Sequence, residues 1–352
     1  MAENINQSYD PGTSLPEQSD DQSEKQSDEM SAWIVVEENL RGTENQCIGI
    51  AHAMGLDPEV KHINLNAPWK QLTPYLRVLN RYAIDEDTSD DVLSPPFPDI
   101  LIAGGRKSIP ASLAVKNLSG GQTFTVQLLD PKCPPNLFDA VIVPQHDDLR
   151  GENVIVTEAG LHHVTQKKLM TAADKFADKY ADLPDPKVAV LIGGSSNTHE
   201  LTPIITGRVA EQLESLAEEK GAGLMITASR RTGADNEAIL RNRLKDVSAD
   251  IWNGTGDNPY FGMLGLADYI IVTEDSVSMV SEAIATGKPV YIIELEGSSE
   301  KFDRFYANLF QKDLARPFTG ELEDWDNKSP NDVKRASQEL WKRFERHRMA
   351  TQ

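Results

Sequence analysis

The sequence predicts an α/β protein of two Rossmann-like domains whose parallel sheets face a cleft. Three observations predict it. Apolar, strand-like runs alternate with helical segments from Ala32 to Leu295. The alternation halts and restarts around a charged, proline-punctuated stretch at 168–186. The chain of 352 residues also exceeds the size at which a single hydrophobic core stops growing. Strands separated by helical crossovers pair in parallel rather than as hairpins, and open parallel sheets bind ligands beyond the carboxyl ends of their strands.

Residues 1–31 are rich in Ser, Gln, Asp and Glu and are expected as a disordered acidic tail, because too few large apolar side chains are present to offset chain entropy. They lack the basic start and apolar core of a secretory signal. The first domain, 32–167, reads as strand Ala32–Glu37, a helix near Glu44–Met54, strand Val60–Leu65 and a helix near Trp69–Arg81. An acidic, Pro-rich loop from Ile84 to Pro98 leads to strands at Asp99–Ala103, Thr123–Leu129, Ala140–Val143 and Val154–Thr157. Residues 168–186 are expected as a linker, a charged helical stretch ending in ADLPDP. The second domain, 187–330, restarts with VAVLIGGSSNT, then a helix near Leu201–Lys220, strand Gly223–Ala228, a helix near Ala234–Leu244 and strand Asp250–Asn253. A helix at Pro259–Leu266, strand Tyr269–Thr273, a helix near Val277–Ala285 and strand Pro289–Leu295 follow, and 331–352 is a last helix.

Composition excludes several function classes. No apolar run approaches the roughly 20 residues that cross a bilayer. Cys47 and Cys133 form no CxxC pair and no Cys/His cluster, so a reducing, cytoplasmic setting is expected with neither metal nor cofactor. A formal charge of -20 argues against a broad nucleic-acid surface. It leaves room for a small anionic ligand, which needs only a few local donors and backbone N–H groups.

Three loops at successive strand ends of the second domain carry the chemistry. Gly193, Gly194 and Ser195 end the strand of VLIGGSSNT; glycines admit a phosphate or make a tight turn, and Ser can cap a helix. The loop lacks the lysine of a P-loop and the spacing of a dinucleotide fingerprint. Ser229, Arg230 and Arg231 follow the next strand, where an arginine can grip a diphosphate while its neighbour points to solvent or caps a helix. In TEDSVSMVSEA, Glu274, Asp275, Ser276 and Ser278 lie where a strand hands over to a helix, and Glu282 follows as an acceptor for sugar or ribose hydroxyls, or as part of a structural ion pair. Asn258 reads as a helix cap, and Tyr260 as a ring able to stack on a base.

VLIGGSSNTHEL, TASRRT and above all ADYIIVTEDSVSMVSEAIATGKPV resemble the plant mitochondrial-fission factors named for elongated mitochondria and their bacterial homologues. The resemblance extends more loosely through LRGTENQCIGIAHAMG, DILIAGGRKSIP and LLDP, from about residue 32 to 346. That family is similar in architecture to GT-B glycosyltransferases, including the bacterial peptidoglycan N-acetylglucosaminyl transferase. The resemblance implies a nucleotide-sugar held by the C-terminal domain, with Gly193, Gly194 and Ser195 facing its phosphates, Arg230 pairing with them, and Ser276 and Glu282, or Glu274, completing the pocket. It also implies a final helix that returns to the N-terminal domain, which accounts for Ala336, Leu340, Trp341 and Phe344 at helical spacing.

GT-B chemistry needs no bound metal, because helix dipoles and basic residues stabilise the departing diphosphate. An inverting transfer wants a base in the first domain, and His146, Asp147 and His162 are the candidates chosen, with His52 and His163 behind them. A lone histidine is more often structural than catalytic. The acceptor side is expected at Arg41, Gly42, Asn45, Gln46, Gly104, Gly105 and Arg106, which also have a plain reading as turn and cap residues. The expectation is therefore a metal-independent glycosyltransferase-like protein acting on a nucleoside-diphosphate sugar and an unidentified, lipid- or envelope-linked acceptor. The alternatives are a non-catalytic recruitment scaffold and a sugar-nucleotide hydrolase or epimerase. The basic face of the last helix is a candidate for peripheral contact with the inner membrane.

Overall fold

The computed structural model describes residues 30–351, so most of the tail expected at 1–31 lies outside the described residues. The first half comprises β1 (Ala32–Glu37), α1 (Arg41–Ala53), β2 (Glu59–Ile63), α2 (Trp69–Leu72), β3 (Ile100–Gly104), α3 (Ile109–Leu118), β4 (Phe124–Leu128), β5 (Ala140–Pro144) and β6 (Val154–Thr157). After α4 (Gln166–Phe176) come β7 (Lys187–Ile192), α5 (Pro203–Glu219), β8 (Gly223–Ala228), α6 (Ala234–Arg243), β9 (Ala249–Ile251), α7 (Tyr260–Leu266) and β10 (Tyr269–Thr273). The chain ends with α8 (Val277–Ile284), β11 (Val290–Ile293), α9 (Glu300–Gln311), β12 (Arg316–Pro317) and α10 (Asp332–Thr351).

These runs become strands because they are continuously apolar. ILIAG, FTVQL and AVIVP are buried at every position, as strands covered on both faces must be. They pair in parallel in two sheets, β2-β1-β3-β4-β5-β6 and β12-β11-β10-β7-β8-β9. Strand order reverses on either side of β1 in the first sheet and of β7 in the second. In open parallel sheets these switch points leave crevices at the strands' carboxyl ends. The loops after β1, β3, β7 and β10 are therefore the ones the topology opens to a ligand.

Helix boundaries correct the sequence reading in places. The helix expected at Trp69–Arg81 ends at Leu72, because Pro74 has no N–H to donate and holds Thr73 in extended conformation (ψ 133°). The stretch expected as a linker at 168–186 is packed: Leu169 and Tyr180 are buried in the core that holds β10. Gly262 and Gly265 on α7 let α4 approach, since a Cβ at Gly265 would come within 2.6 Å of the Leu169 carbonyl. The helix α9 had no counterpart in the sequence reading.

α10 closes the molecule on the first domain. Ala336, Leu340 and Phe344 join the core of β1, β3, β4 and β5, and Phe344 meets Phe124 edge-on with ring centres 5.7 Å apart. Its apolar face is thus covered by protein, and Arg335 and Arg343 are engaged with Asp332 and Glu339. Phe344→Ala should cost about 3 to 5 kcal/mol of unfolding free energy in a denaturant titration. A change within 0.5 kcal/mol would show that α10 does not contribute to the first domain's core.

Candidate functional site

The three loops singled out in the second domain are joined into one rim. Thr273, at the end of β10, accepts a hydrogen bond from Gly193 N–H (2.7 Å) and donates to Asp275 Oδ1 (2.6 Å). The Ser229 hydroxyl donates to the Gly193 carbonyl at 2.7 Å, and the Thr232 hydroxyl reaches the same oxygen. Arg231 Nη2 lies 2.6 Å from Asp275 Oδ2, whose carboxylate is buried. Thr232 and Thr273 carry much of this fastening, and the sequence reading passed over both; nothing in residue type marked them out from other strand-end threonines.

This arrangement changes the role of the two glycines. A Cβ at Gly193 would fall 2.1 Å from Asp275 Oδ1, and one at Gly194 would fall 2.1 Å from the Arg231 carbonyl oxygen. Close approach of neighbouring loops accounts for both glycines, and the N–H of Gly193 is already used. The residues the rim exposes include Ser195, Ser196, Asn197, Arg230 and Arg231. Of the paired arginines, Arg231 turns to Asp275, while Arg230 has no ion-pair partner among the described residues.

Glu274 and Glu282 face inward. Glu274 accepts from Leu295 N–H at 2.7 Å, and burial together with Glu294, Asp303 and Asp275 pushes its pKa up to about 7. Glu282 is buried and accepts from the Tyr260 hydroxyl at 2.6 Å; burial raises its pKa as well. His163 Nδ1 stands 3.9 Å from its other oxygen. The Tyr260 ring packs edge-on to Phe261 with its hydroxyl committed to Glu282, so it is not the open ring expected for stacking on a base. Asn258 accepts from Tyr260 N–H at 3.0 Å in the turn before α7, whose N-cap position is Pro259 rather than the Asn258 expected.

The start of α8 is where the two domains meet. Ser276 caps the helix, its hydroxyl accepting from Met279 N–H at 3.4 Å. Gln46 Nε2 donates across the seam to Ser278 Oγ at 3.3 Å, and a Cβ at Gly42 would lie 3.3 Å from the same oxygen. Asn45 is half-buried on the same turn of α1, and Arg41 is exposed with Nη1 3.1 Å from Glu44. Gly104 is buried, with Thr43 and Cys47 within 3 Å of any added Cβ, so it serves α1–β3 packing rather than an open surface. Gly105 has φ +81°, and Arg106 beyond it is exposed.

The candidate bases sit deeper than expected. His146 and Asp147, after β5, are covered by α9: the His146 ring meets Phe305 at 4.9 Å, and Lys301 Nζ lies 2.9 Å from Asp147 Oδ1. Burial, with Lys301 next, drives the His146 pKa down to about 4, so its imidazole is neutral at neutral pH. The His162 carbonyl packs against Gly49, and with Asn331 and Lys334 the residue lines a cavity of about 570 Å³ that neither His146 nor Asp147 lines. His163 is likewise held neutral by burial, and His52 is exposed at the end of α1.

Two expectations follow from the carboxylates. The folded protein keeps the Glu274 proton to higher pH than the unfolded chain, so this group's contribution to stability falls as pH rises from 4.5 toward about 7. Glu274→Gln, which retains an oxygen for Leu295 N–H, should flatten that fall and raise the thermal midpoint at pH 8; an unchanged pH profile would contradict the assignment. Tyr260→Phe strips the hydroxyl from buried Glu282 and should cost about 1 to 3 kcal/mol in chemical denaturation. A neutral outcome would mean that Glu282 finds water instead.

The family model for mitochondrial fission ELM1 matches residues 41–344. The chain is 26% identical to the mitochondrial fission protein ELM1 of Arabidopsis thaliana, over 86% of this chain and 89% of that one. It is 25% identical to the uncharacterized protein RP120 of Rickettsia prowazekii, over 88% and 97% of the two chains. Among solved structures, a putative UDP-N-acetylglucosamine 2-epimerase from Listeria monocytogenes aligns with a TM-score of 0.56 at 10% identity, covering 91% of this chain and 96% of that one. The UDP-GlcNAc 2-epimerase of Methanocaldococcus jannaschii, solved with UDP-GlcNAc and UDP, aligns with a TM-score of 0.50 at 11% identity, covering 89% and 100%. At such identities the structural likeness speaks to the fold, a GT-B-like pair of facing Rossmann-like domains. The match along most of its length, from α1 to α10, makes this chain a member of the mitochondrial fission ELM1 family.

Proposed function

We propose that the chain binds a nucleoside-diphosphate sugar at the rim of its second domain and transfers the sugar to an acceptor held over the first. The observation that carries the reading is the fused rim: three strand-end loops are tied together so that the exposed Arg230 and Ser195 and the first turn of α8 stand on one edge. Ser276, Ser278 and the free N–H groups of α8 supply donors and a positive dipole end to a diphosphate. Arg230 adds a full charge. The relatives of the same fold solved with UDP-GlcNAc and UDP support the choice of ligand class.

In this reading the closed seam must open. Gln46 and Gly42 crowd Ser278, and Phe305 and Lys301 cover His146 and Asp147, so a donor enters and a base is exposed when the domains part. Departing diphosphate charge is then stabilised by Arg230 and α8, and either Asp147 or His146 takes the acceptor's proton. A hydrolase or epimerase would use the same donor site without the acceptor. A scaffold that recruits a partner without turnover is the second reading, and the Gln46–Ser278 contact favours it by occupying the helix end a phosphate would use.

Calorimetry of the purified chain against UDP, GDP, CDP, ADP and their common sugar conjugates separates these readings. One diphosphate should bind, and Arg230→Ala should weaken it about ten- to hundredfold, the worth of a charge-assisted hydrogen bond. Silence across the panel at millimolar ligand, from folded protein, would sink the transferase and leave the scaffold.

A further inference from the structure

The loop between β2 and β3 carries a surface that the cleft does not use. Its neck is fastened by Asn66, whose N–H donates to the Ala83 carbonyl (2.8 Å) and whose side-chain amide donates to Ile84 (3.0 Å). Leu65, Ala83 and Ile84 are buried in the core beneath. Trp69 Nε1 donates across the loop to the Val78 carbonyl at 3.2 Å, so the loop is braced from within. Beyond that brace its apolar side chains face outward: Tyr75 is 79% exposed, Leu79 66%, Val78 62%, Tyr82 57% and Leu72 47%. These are five of the ten large apolar side chains exposed among the described residues, so the patch is concentrated where chance would scatter it.

Charge identifies what covers it. Residues 66–83 hold Lys70, Arg77 and Arg81 and no acidic residue, in a chain of net charge -20. Arg81 stacks over the Tyr82 ring at 5.2 Å. The acidic run that follows folds away from the tip and back along β2: Asp85 N–H donates to Asn64, and Asp90 accepts from His62 N–H at 2.6 Å. Aromatic and aliphatic groups interleaved with arginine and lysine suit a bilayer interface, where the rings sit at headgroup depth and the cations meet phosphate. A two-fold contact between copies would instead set this basic, acid-free surface against itself.

We infer that the 66–83 loop is a docking surface for an anionic lipid bilayer, through insertion of Tyr75, Val78 and Leu79 and headgroup contact by Lys70, Arg77 and Arg81. Among the described residues no helix is long and apolar enough to cross a membrane, so the attachment is interfacial. It does not involve the buried face of α10, and it stands whether or not the cleft binds a nucleotide-sugar.

Flotation of the full chain with phosphatidylcholine vesicles, with and without about 30% phosphatidylglycerol, tests this. Binding is expected only to the anionic vesicles, falling about fivefold for each of Arg77→Ala and Arg81→Ala and weakening as salt is raised. The double variant Val78→Glu/Leu79→Glu should abolish it with the thermal midpoint unchanged, since both side chains are exposed. Absence of vesicle binding, or binding that survives the double variant, would overturn the proposal. So would a dimer in sedimentation velocity that the double variant dissociates, which would assign the surface to a second copy.

Discussion

The buried Asp275 carboxylate holds the second domain's rim together. It receives the Thr273 hydroxyl and faces the Arg231 guanidinium, and it presses on Gly193 so closely that no side chain fits there. A buried charge of this kind adds little to net stability once its desolvation is counted, yet removing its partner leaves it uncompensated. Its consequence here is geometric. The loops after β7, β8 and β10 are locked to one another, and this lock leaves Arg230 outward and sets where α8 begins.

From that lock the seam between domains can be understood. α8 starts against α1, with Gln46 and Ser278 in contact and Gly160 N–H donating to Ser281 Oγ at 2.9 Å one turn on. α9 adds a polar stripe that reaches the first domain through Lys301, Arg304, Asn308 and Lys312. Most of these are half-exposed ion pairs, individually weak and readily screened. A seam built this way is shut in the structure without being cemented, which is the property a cleft needs if it is to admit a ligand. The Phe305–His146 contact is its apolar centre.

The same division between body and edge applies to the first domain. Its core is continuous from β1 to α10, whereas the tip of the 66–83 loop lies outside the core, which takes in only Trp69 and Ala83 from that stretch, and is held by the neck at Asn66 and the Trp69–Val78 brace. The chain as a whole is acidic, with a net charge of -20. Such segregation orients a molecule at a charged interface without requiring a large apolar area.

Most strands and helices, though not α9, were legible from the sequence because each is written in contiguous residues. YIIVT, GLMITA and VIVT are strands at the bounds their apolar runs announce, and the period-3.6 apolar positions of α10 announced its buried face. Parallel pairing was legible too, since helical crossovers force it, whereas strand order, and with it the switch points, came from the tertiary structure. What only the tertiary structure decided were the contacts between segments far apart in the chain. Gly193 reads as a phosphate loop until Asp275 is seen to fill the space beside it, Arg230 and Arg231 are equivalent until one finds a carboxylate, and Tyr260 is an open ring until Glu282 takes its hydroxyl. The exposed tip of the 66–83 loop was hidden in the same way, because an apolar run shows that side chains are apolar and only the packing of the rest of the chain shows whether anything covers them.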